Sequence, residues 1–308
     1  MEGEQNATYV ILDGYVNVHK YRYIYFMTVF IVYILIICSN STIVYLIWKH
    51  QDLHEPMYVF IAALLLNSVL FSTNIYPKLL IDFLSEKQII SYQACLVQYF
   101  MFYTLGSSEF LLLAAMAYDR YVSICKPLQY PTIMRKTNVS ILLALAWFLP
   151  ACQLIGSVTM SANQKLLISI YGVIILLNIA VIPVFFIVFT YVRILIICYR
   201  SCADVRKKAA QTCLPHLLVL TNVFVLITYD VITVRLESDF PKTARLIMIL
   251  QLVLYNPLLN PLIYGLRMKE ISKHLQRWCL LSKKVDFFFF FFFKCKGRCG
   301  RVLFSAVF

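Results

Sequence analysis

The stretch that decides the fold is ACLVQYFMFYTLGSSEFLLLAA, residues 94–115, followed directly by MAYDRYVSIC, residues 116–125. The first part is an apolar run of roughly 20 residues, the length that a helix needs to cross a hydrocarbon core of about 30 Å. At its end, Asp119 stands beside Arg120 and Tyr121, so a carboxylate and a guanidinium meet at a membrane face. Either the arginine stays available to a partner on the water side, as in a switch, or the two residues form an interfacial charge pair with no further role.

The composition of the whole chain indicates a membrane protein. Of its 308 residues, 61% are hydrophobic and only 14% are charged, whereas an ordinary soluble domain has about 25% charged residues. Backbone groups in lipid must be satisfied within each segment, so long apolar runs are expected to be helices. We therefore predict an all-α membrane protein, a seven-transmembrane helix bundle. Its spans are Ile24 to Trp48, Met57 to Tyr76, Ala94 to Ala115, Asn138 to Ser157, Leu166 to Val192, Ala209 to Tyr229 and Leu246 to Leu266.

Charge and modification signals predict the orientation. The loops after spans one, three and five, together with the helix-end stretch Arg267 to Arg277, carry twelve Lys and Arg residues against eight on the opposite side, which makes the carboxyl end cytoplasmic. A glycosylation sequon at Asn6 agrees with an outer amino end. We expect an extracellular tail at 1–23, the seven-transmembrane domain at 24–267, an amphipathic membrane-surface helix at 268–281 and a disordered cytoplasmic tail at 282–308. The chain would then lie in the plasma membrane with several passes.

The net charge of +13 and the missing catalytic motifs narrow the function classes. Lys and Arg flank the apolar helices, so anionic lipid headgroups are the expected counter-charge and nucleic acid is not expected as a partner. The sequence has no Gly-rich phosphate loop, metal-ligand cluster or nucleophile motif, and its five histidines are scattered. We expect no enzyme, no cofactor and no metal. A transporter remains the rival class because buried polar residues also mark transport paths, although no internal repeat is visible.

Several separate motifs resemble the rhodopsin-like G-protein-coupled receptors. NPLLNPLIY at 256–264 is similar to their NPxxY element, and Asn40 in span one fits the same family. LHEPMY at 53–58, MAYDRYVSIC at 116–125, the pair Thr190-Tyr191 and KAAQTCLPHL at 208–217 resemble more narrowly an odorant (olfactory) receptor in a fish-like variant. The resemblance covers about residues 20 to 280.

The resemblance implies a receptor that binds a small odorant-like ligand and activates a heterotrimeric G-protein of the stimulatory olfactory type. It further implies an activation switch, in which Arg120 contacts the G-protein or its own Asp119, two tyrosines swing inward and a proline loosens helix seven. A structural alternative makes those two tyrosines interfacial anchors. The residues that the switch would use are Asp119, Arg120, Tyr121, Tyr191, Asn260, Pro261 and Tyr264.

Glu109 is the most informative single residue within a span. It lies eleven residues before Arg120, about 16 Å along the helix axis and so near the membrane centre. A carboxylate at that depth is costly unless partnered, which makes it a candidate functional group. Its expected partners are Asn67, Ser68, Asn256 and Asn260. The resemblance suggests a sodium or proton site, although Ser68 stands where many members have an aspartate. The alternative is a protonated Glu109 bonded to neighbouring amides.

The ligand pocket is predicted from depth in the bundle. Positions one to three turns below the outer face converge and are mostly apolar, which favours small hydrophobic ligands with one or two hydrogen-bonding groups. For each position, core packing or contact with lipid is the alternative. The predicted ligand layer consists of Phe102, Tyr103, Gly106, Ser107, Ile175, Ile179, Ile227, Thr228 and Leu250.

Two regions depart from the family pattern. Cys95 sits where the family forms a disulfide to the loop after span four, yet that loop has no cysteine and is short, and we expect no bond from Cys95 to Cys152. Seven consecutive phenylalanines, Phe287 to Phe293, match nothing in the family. These departures leave open a receptor-derived chain that no longer works.

Overall fold

The computed structural model describes residues 9–11, 18–159, 174–175, 177–199, 217, 219–221 and 242–281. Two turns of 3₁₀ helix lie at Gln51–Leu53 and Pro127–Gln129, and a π-helical turn at Leu177–Val181 leads directly into the helix Ile182–Tyr199. The helices in this part of the chain are α1 Val18–Lys49, α2 Pro56–Leu84, α3 Tyr92–Cys125, α4 Tyr130–Ile133, α5 Lys136–Thr159, α6 Ile182–Tyr199, α7 Lys242–Arg267 and α8 Lys269–Leu281.

Helices α1, α2, α3 and α5 confirm the first four predicted spans. Within the described residues, each contains a segment that is long and apolar enough to cross a membrane, and α6 contains a shorter apolar segment. Helix α7 covers the seventh predicted run, whereas most of the sixth run lies outside the described residues. Helix α3 continues past the apolar run to Cys125, because a helix can extend beyond the hydrocarbon layer wherever its sequence favours it.

Helix α3 lies at the centre of the packing, with contacts to α2, α5 and α6, while α1 packs against α2, α7 and α8. Two apolar clusters fill the space between these helices. One cluster is built around Leu64, Leu112 and Met116, all fully buried, and the other around Ile36 and Tyr76. The apolar side chains that remain exposed on the helices are consistent with faces that contact lipid.

A short antiparallel strand pair was not predicted from the sequence. Strand β1, Tyr9–Ile11, pairs with β2, Ile89–Ser91, and Val10 lies opposite Ile90. Ser91 then ends β2 and caps α3, since the backbone N–H of Ala94 donates to the Ser91 hydroxyl at 3.3 Å. The pair ties the amino-terminal segment to the outer end of α3. Three-residue strands are too short to leave a readable alternation in a sequence.

Helix α8 has the predicted amphipathic character. Ile271 and Leu275 are buried, whereas Lys273 lies on the exposed side with Glu270 at 3.6 Å. Gly265 allows the preceding end of α7 to approach α1, because a Cβ at that position would lie only 3.0 Å from a methyl carbon of Ile43. Helix α8, which follows directly, is therefore held close to α1 and α7.

Candidate functional site

The carboxyl-terminal end of α3 carries a compact charged network. Asp119 is fully buried, and its Oδ2 accepts a hydrogen bond from Arg120 Nε at 2.9 Å and a second bond from the Nη2 of the same guanidinium. Its Oδ1 accepts a bond from the Tyr130 hydroxyl at 2.9 Å. The arginine side chain keeps about 13% exposure, so the pair is largely withdrawn from water while its guanidinium still reaches the surface. This geometry suits a restraint that a partner at the inner face would release.

Tyr130 is a functional residue that the sequence analysis missed. It belongs to α4, a single helical turn that follows the Pro127–Gln129 turn and is folded back beside the end of α3. Burial and the neighbouring Asp119 carboxylate raise the pKa of Tyr130, so its hydroxyl stays protonated and donates. In the sequence, Tyr130 is only an aromatic residue eleven positions after Asp119, and no helical or strand periodicity connects the two residues.

The predicted switch tyrosines lie within the bundle. Tyr191 on α6 and Tyr264 on α7 are both buried, and both belong to the apolar cluster around α3. The Tyr264 hydroxyl has no hydrogen-bond partner in the part of the chain that the structure describes. A buried hydroxyl without a partner is costly, and side-chain movement or water would relieve that cost. Tyr121 is half-buried at the edge of the same cluster.

Four of the polar residues predicted around the membrane centre come together. Asn260 Nδ2 donates to Ser68 Oγ at 3.1 Å and to Glu109 Oε1 at 3.3 Å, and Asn256 makes a further side-chain hydrogen bond to the carboxyl of Glu109. Helices α2, α3 and α7 are joined through this cluster. Asn260 Oδ1 is buried and has no partner among the described residues, which leaves an oxygen ligand beside the carboxyl.

The fourth predicted partner of Glu109, Asn67, is used elsewhere. Asn67 Nδ2 donates to the Leu105 carbonyl at 2.9 Å, and its Oδ1 accepts from Trp147 Nε1 at 3.2 Å. These bonds join α2 to α3 and α5 instead. A position one residue from Ser68 lies about 100° around the helix, so the two side chains face different neighbours.

Helix α7 carries two prolines that the bundle accommodates. Pro261 has no N–H, so the carbonyl of Pro257, four residues earlier, loses its usual helical partner. Asn40 on α1 supplies the substitute, because its Nδ2 donates to that carbonyl at 2.8 Å. The same amide group also donates to the Ile36 carbonyl at 2.8 Å. The expected weak point of helix seven is thus held by a single side chain from α1.

The ligand layer is described only in part. Phe102 stacks against Phe71 of α2 with ring centroids 5.2 Å apart, which favours the core-packing alternative for this residue. Tyr103 is about 41% exposed, and Ser107 is half-buried. A Cβ added at Gly106 would meet no atom of the described residues within 4 Å, so α3 borders open space there. Ile175 is half-buried, Ile179 lies in the π-helical turn and Leu250 in α7, and Ile227 and Thr228 lie outside the described residues.

Other predicted features fall at the margins of the described chain. Cys95 and Cys152 both carry free thiols, as expected for these two residues. Asn6, the short loop around residues 160–166 and the phenylalanine run lie outside the described residues.

The family model for the seven-transmembrane receptors of the rhodopsin family matches residues 39–264. Human olfactory receptor 2AG2 is 34% identical over 299 residues, covering 87% of this chain and 92% of the relative. Human olfactory receptor 2T27 is 30% identical over 311 residues, covering 92% and 97%. Mouse olfactory receptor 4B13 is 31% identical over 301 residues, covering 90% and 97%.

The chain belongs to the olfactory receptor family. The match begins one residue before Asn40 and ends at Tyr264, so it includes both the charged network around Asp119 and the polar cluster around Glu109. As an olfactory receptor of the rhodopsin family, the molecule is a seven-transmembrane bundle. Similarity to receptors over almost the whole chain does not favour the transporter or the non-working chain. The fish-like character stays a prediction.

Proposed function

We propose that this olfactory receptor binds a small, mostly apolar odorant in the outer half of the bundle and passes its occupancy to a G-protein at Arg120. The observation that carries the proposal is the network at the inner end of α3, where Asp119 holds Arg120 through two hydrogen bonds. The guanidinium offers further N–H donors and still reaches the surface, so a second acceptor can compete with Asp119 for it. The competing partner is the G-protein.

The ligand end of the proposal rests on the open side of α3. A Cβ at Gly106 would have no atom of the described residues within 4 Å, and Tyr103 and Ser107 lie beside it with hydroxyl groups on the same helix. Such a surface binds an apolar body and orients it by one or two hydrogen bonds. Ile175, Ile179, Ile227, Thr228 and Leu250 complete the proposed layer, and Phe102 contributes as part of its floor.

The proposed ligand layer and Arg120 are linked by the polar cluster around Glu109, near the membrane centre. Glu109, Ser68, Asn256 and Asn260 join three helices at one point, so a small displacement of α3 changes the bonds of the other two. We assign this cluster as a site for a sodium ion or a proton. The Oδ1 of Asn260, which has no partner within the described part of the chain, and the carboxyl of Glu109 supply the hard oxygen ligands that such a cation prefers.

Orientation and coupling complete the proposal. The amino end lies outside the plasma membrane with Asn6 glycosylated, and residues 282–308 form the cytoplasmic tail beyond the membrane-surface helix. The G-protein is of the stimulatory olfactory type, as the family resemblance implies. Tyr121, Tyr191, Pro261 and Tyr264 serve the rearrangement that opens the inner face.

The experiment uses the full chain with an amino-terminal epitope tag in cultured cells. Antibody staining of intact cells should detect the tag, because the amino end is outside. On an immunoblot, the tagged protein should move to a smaller apparent mass after glycosidase treatment. Cyclic AMP is then recorded against an odorant panel, with Arg120→Ala as the uncoupled variant and Glu270→Gln, at an exposed surface pair, as the matched control. An odorant response that survives in Arg120→Ala would refute the proposed coupling. Normal surface staining with no response to any odorant would favour a chain that no longer signals.

A further inference from the structure

Three side chains that are far apart in the sequence meet at the cytoplasmic end of the bundle. His50 directly follows α1, Asp52 lies in the Gln51–Leu53 turn, and His274 lies on α8. One ligating atom from each lies within 4.8 Å of the other two. The Nε2 of His274 lies 2.6 Å from Asp52 Oδ2, and the His50 and His274 rings are 4.0 Å apart between centroids.

We propose that His50, Asp52 and His274 form a binding site for a divalent transition metal ion of the Zn²⁺ class. Two imidazoles and one carboxylate are a ligand set that suits zinc and its neighbours in the first transition row. Calcium and magnesium are excluded by the same set, because they require mainly oxygen ligands in larger number. The site does not depend on the receptor activity proposed above.

The geometry needs only a small adjustment to close around a metal. Ligand atoms at zinc bonds of about 2.0–2.1 Å in a tetrahedron lie about 3.3 Å from one another. His274 is buried and fixed on α8, whereas the Asp52 side chain is 55% exposed and His50 is half-buried, so the two loop residues are the ones that move. In the bound state, His274 would coordinate through Nε2 and carry its ring proton on Nδ1. A fourth position is left to water.

A simple hydrogen-bonded pair explains only part of this arrangement. The pair accounts for His274 and Asp52. It does not account for the His50 ring, which packs against the His274 ring but makes no ring hydrogen bond to any described residue. Lys49 and Arg277 lie near enough to His50 to oppose a cation, so we expect weaker binding than at closed structural zinc sites. A bound metal would fasten α8 to the loop after α1.

The test is zinc binding to the full chain purified in detergent, measured by competition with a zinc-chelating dye. The variants are Asp52→Asn and His50→Gln, at residues whose side chains are not in the core. His54→Gln is the matched control, because His54 lies in the same loop but pairs with the Trp48 carbonyl at 3.2 Å. A Cys295→Ser/Cys299→Ser double variant removes the two tail thiols that could compete for zinc.

We expect one zinc ion per chain, with affinity at least about tenfold lower in Asp52→Asn and in His50→Gln, since loss of even an outer partner of a metal ligand costs about 10–100-fold. The His54→Gln and cysteine variants should bind like the wild type. Unchanged affinity in both site variants, or loss of binding in the cysteine variant alone, would overturn the proposal.

A measurement on the wild-type chain guards against variants that fail to fold. Modification of histidine rings by diethyl pyrocarbonate is followed by mass spectrometry with and without zinc. Zinc should slow the modification of His50 but not that of His54, and magnesium at the same concentration should slow neither. Equal modification of His50 with and without zinc would contradict the site.

Discussion

Replacing Asp119 by asparagine should raise signalling in the absence of any ligand. The carboxylate accepts two bonds from Arg120 and one from Tyr130, and it is fully buried. Asparagine has nearly the same shape but carries no charge and offers a single acceptor oxygen. It therefore loses at least one charge-assisted hydrogen bond to the guanidinium.

The size of the effect follows from that loss. A hydrogen bond to a charged group contributes about 1.5–3 kcal/mol, and a value of about 2 kcal/mol changes an equilibrium about 30-fold. If the state with a released Arg120 makes up about 1% of unliganded molecules, its share rises to about a quarter in Asp119→Asn. Because the restraint acts only in the silent state, the gain appears as basal activity.

The assay is basal nucleotide exchange on a set of G-protein α subunits, normalised to the number of receptors at the cell surface. Glu270→Gln is the matched control, because it removes an exposed ion pair with Lys273 that has little energetic weight. Basal exchange in Asp119→Asn equal to that of the wild type and of the control would refute the role of Asp119 as a restraint on Arg120.

Three further changes follow from the same contacts. Tyr130→Phe removes one of the three bonds to Asp119 and should raise basal exchange in the same assay, but by less than Asp119→Asn; a fall in basal exchange would contradict the restraint. Glu109→Gln keeps an acceptor for Asn260 but removes the charge, so sodium should no longer alter agonist potency, and retained sodium sensitivity would exclude this carboxyl as the ion ligand. Gly106→Leu places a side chain in the open space beside α3 and should lower agonist potency at least about tenfold, while Gly106→Ala changes it less; equal potency in Gly106→Leu would move the pocket elsewhere.

Much of the bundle was predictable because the backbone of every span in lipid must form its hydrogen bonds within the span. An apolar run of the right length has to be a helix in the membrane, and the runs in the first half of the chain correspond to α1, α2, α3 and α5. The polar residues within the predicted spans stood out for the same reason. Glu109 and Asn260 stand out as costly groups that need a partner, and they do contact each other.

What the sequence did not reveal depends on which way the packed helices face and on the path of the loops. Asn67 and Ser68 are neighbours in sequence, but helix rotation sends one to Trp147 and the other to Asn260. Tyr130 sits in a turn whose path only the folded chain defines. His50 and His274 are brought together by α8 folding back toward α1, a contact across more than 200 residues that no local pattern encodes.

The most direct test of the central claim compares two readouts on one purified receptor, agonist binding and agonist-induced nucleotide exchange, in the wild type and in Arg120→Ala. Because the proposed ligand layer on α3 ends 13 residues before Arg120, agonist should bind Arg120→Ala, without G-protein present, as tightly as it binds the wild type. Exchange should be lost in the variant. Agonist-induced exchange that persists in Arg120→Ala would contradict the account.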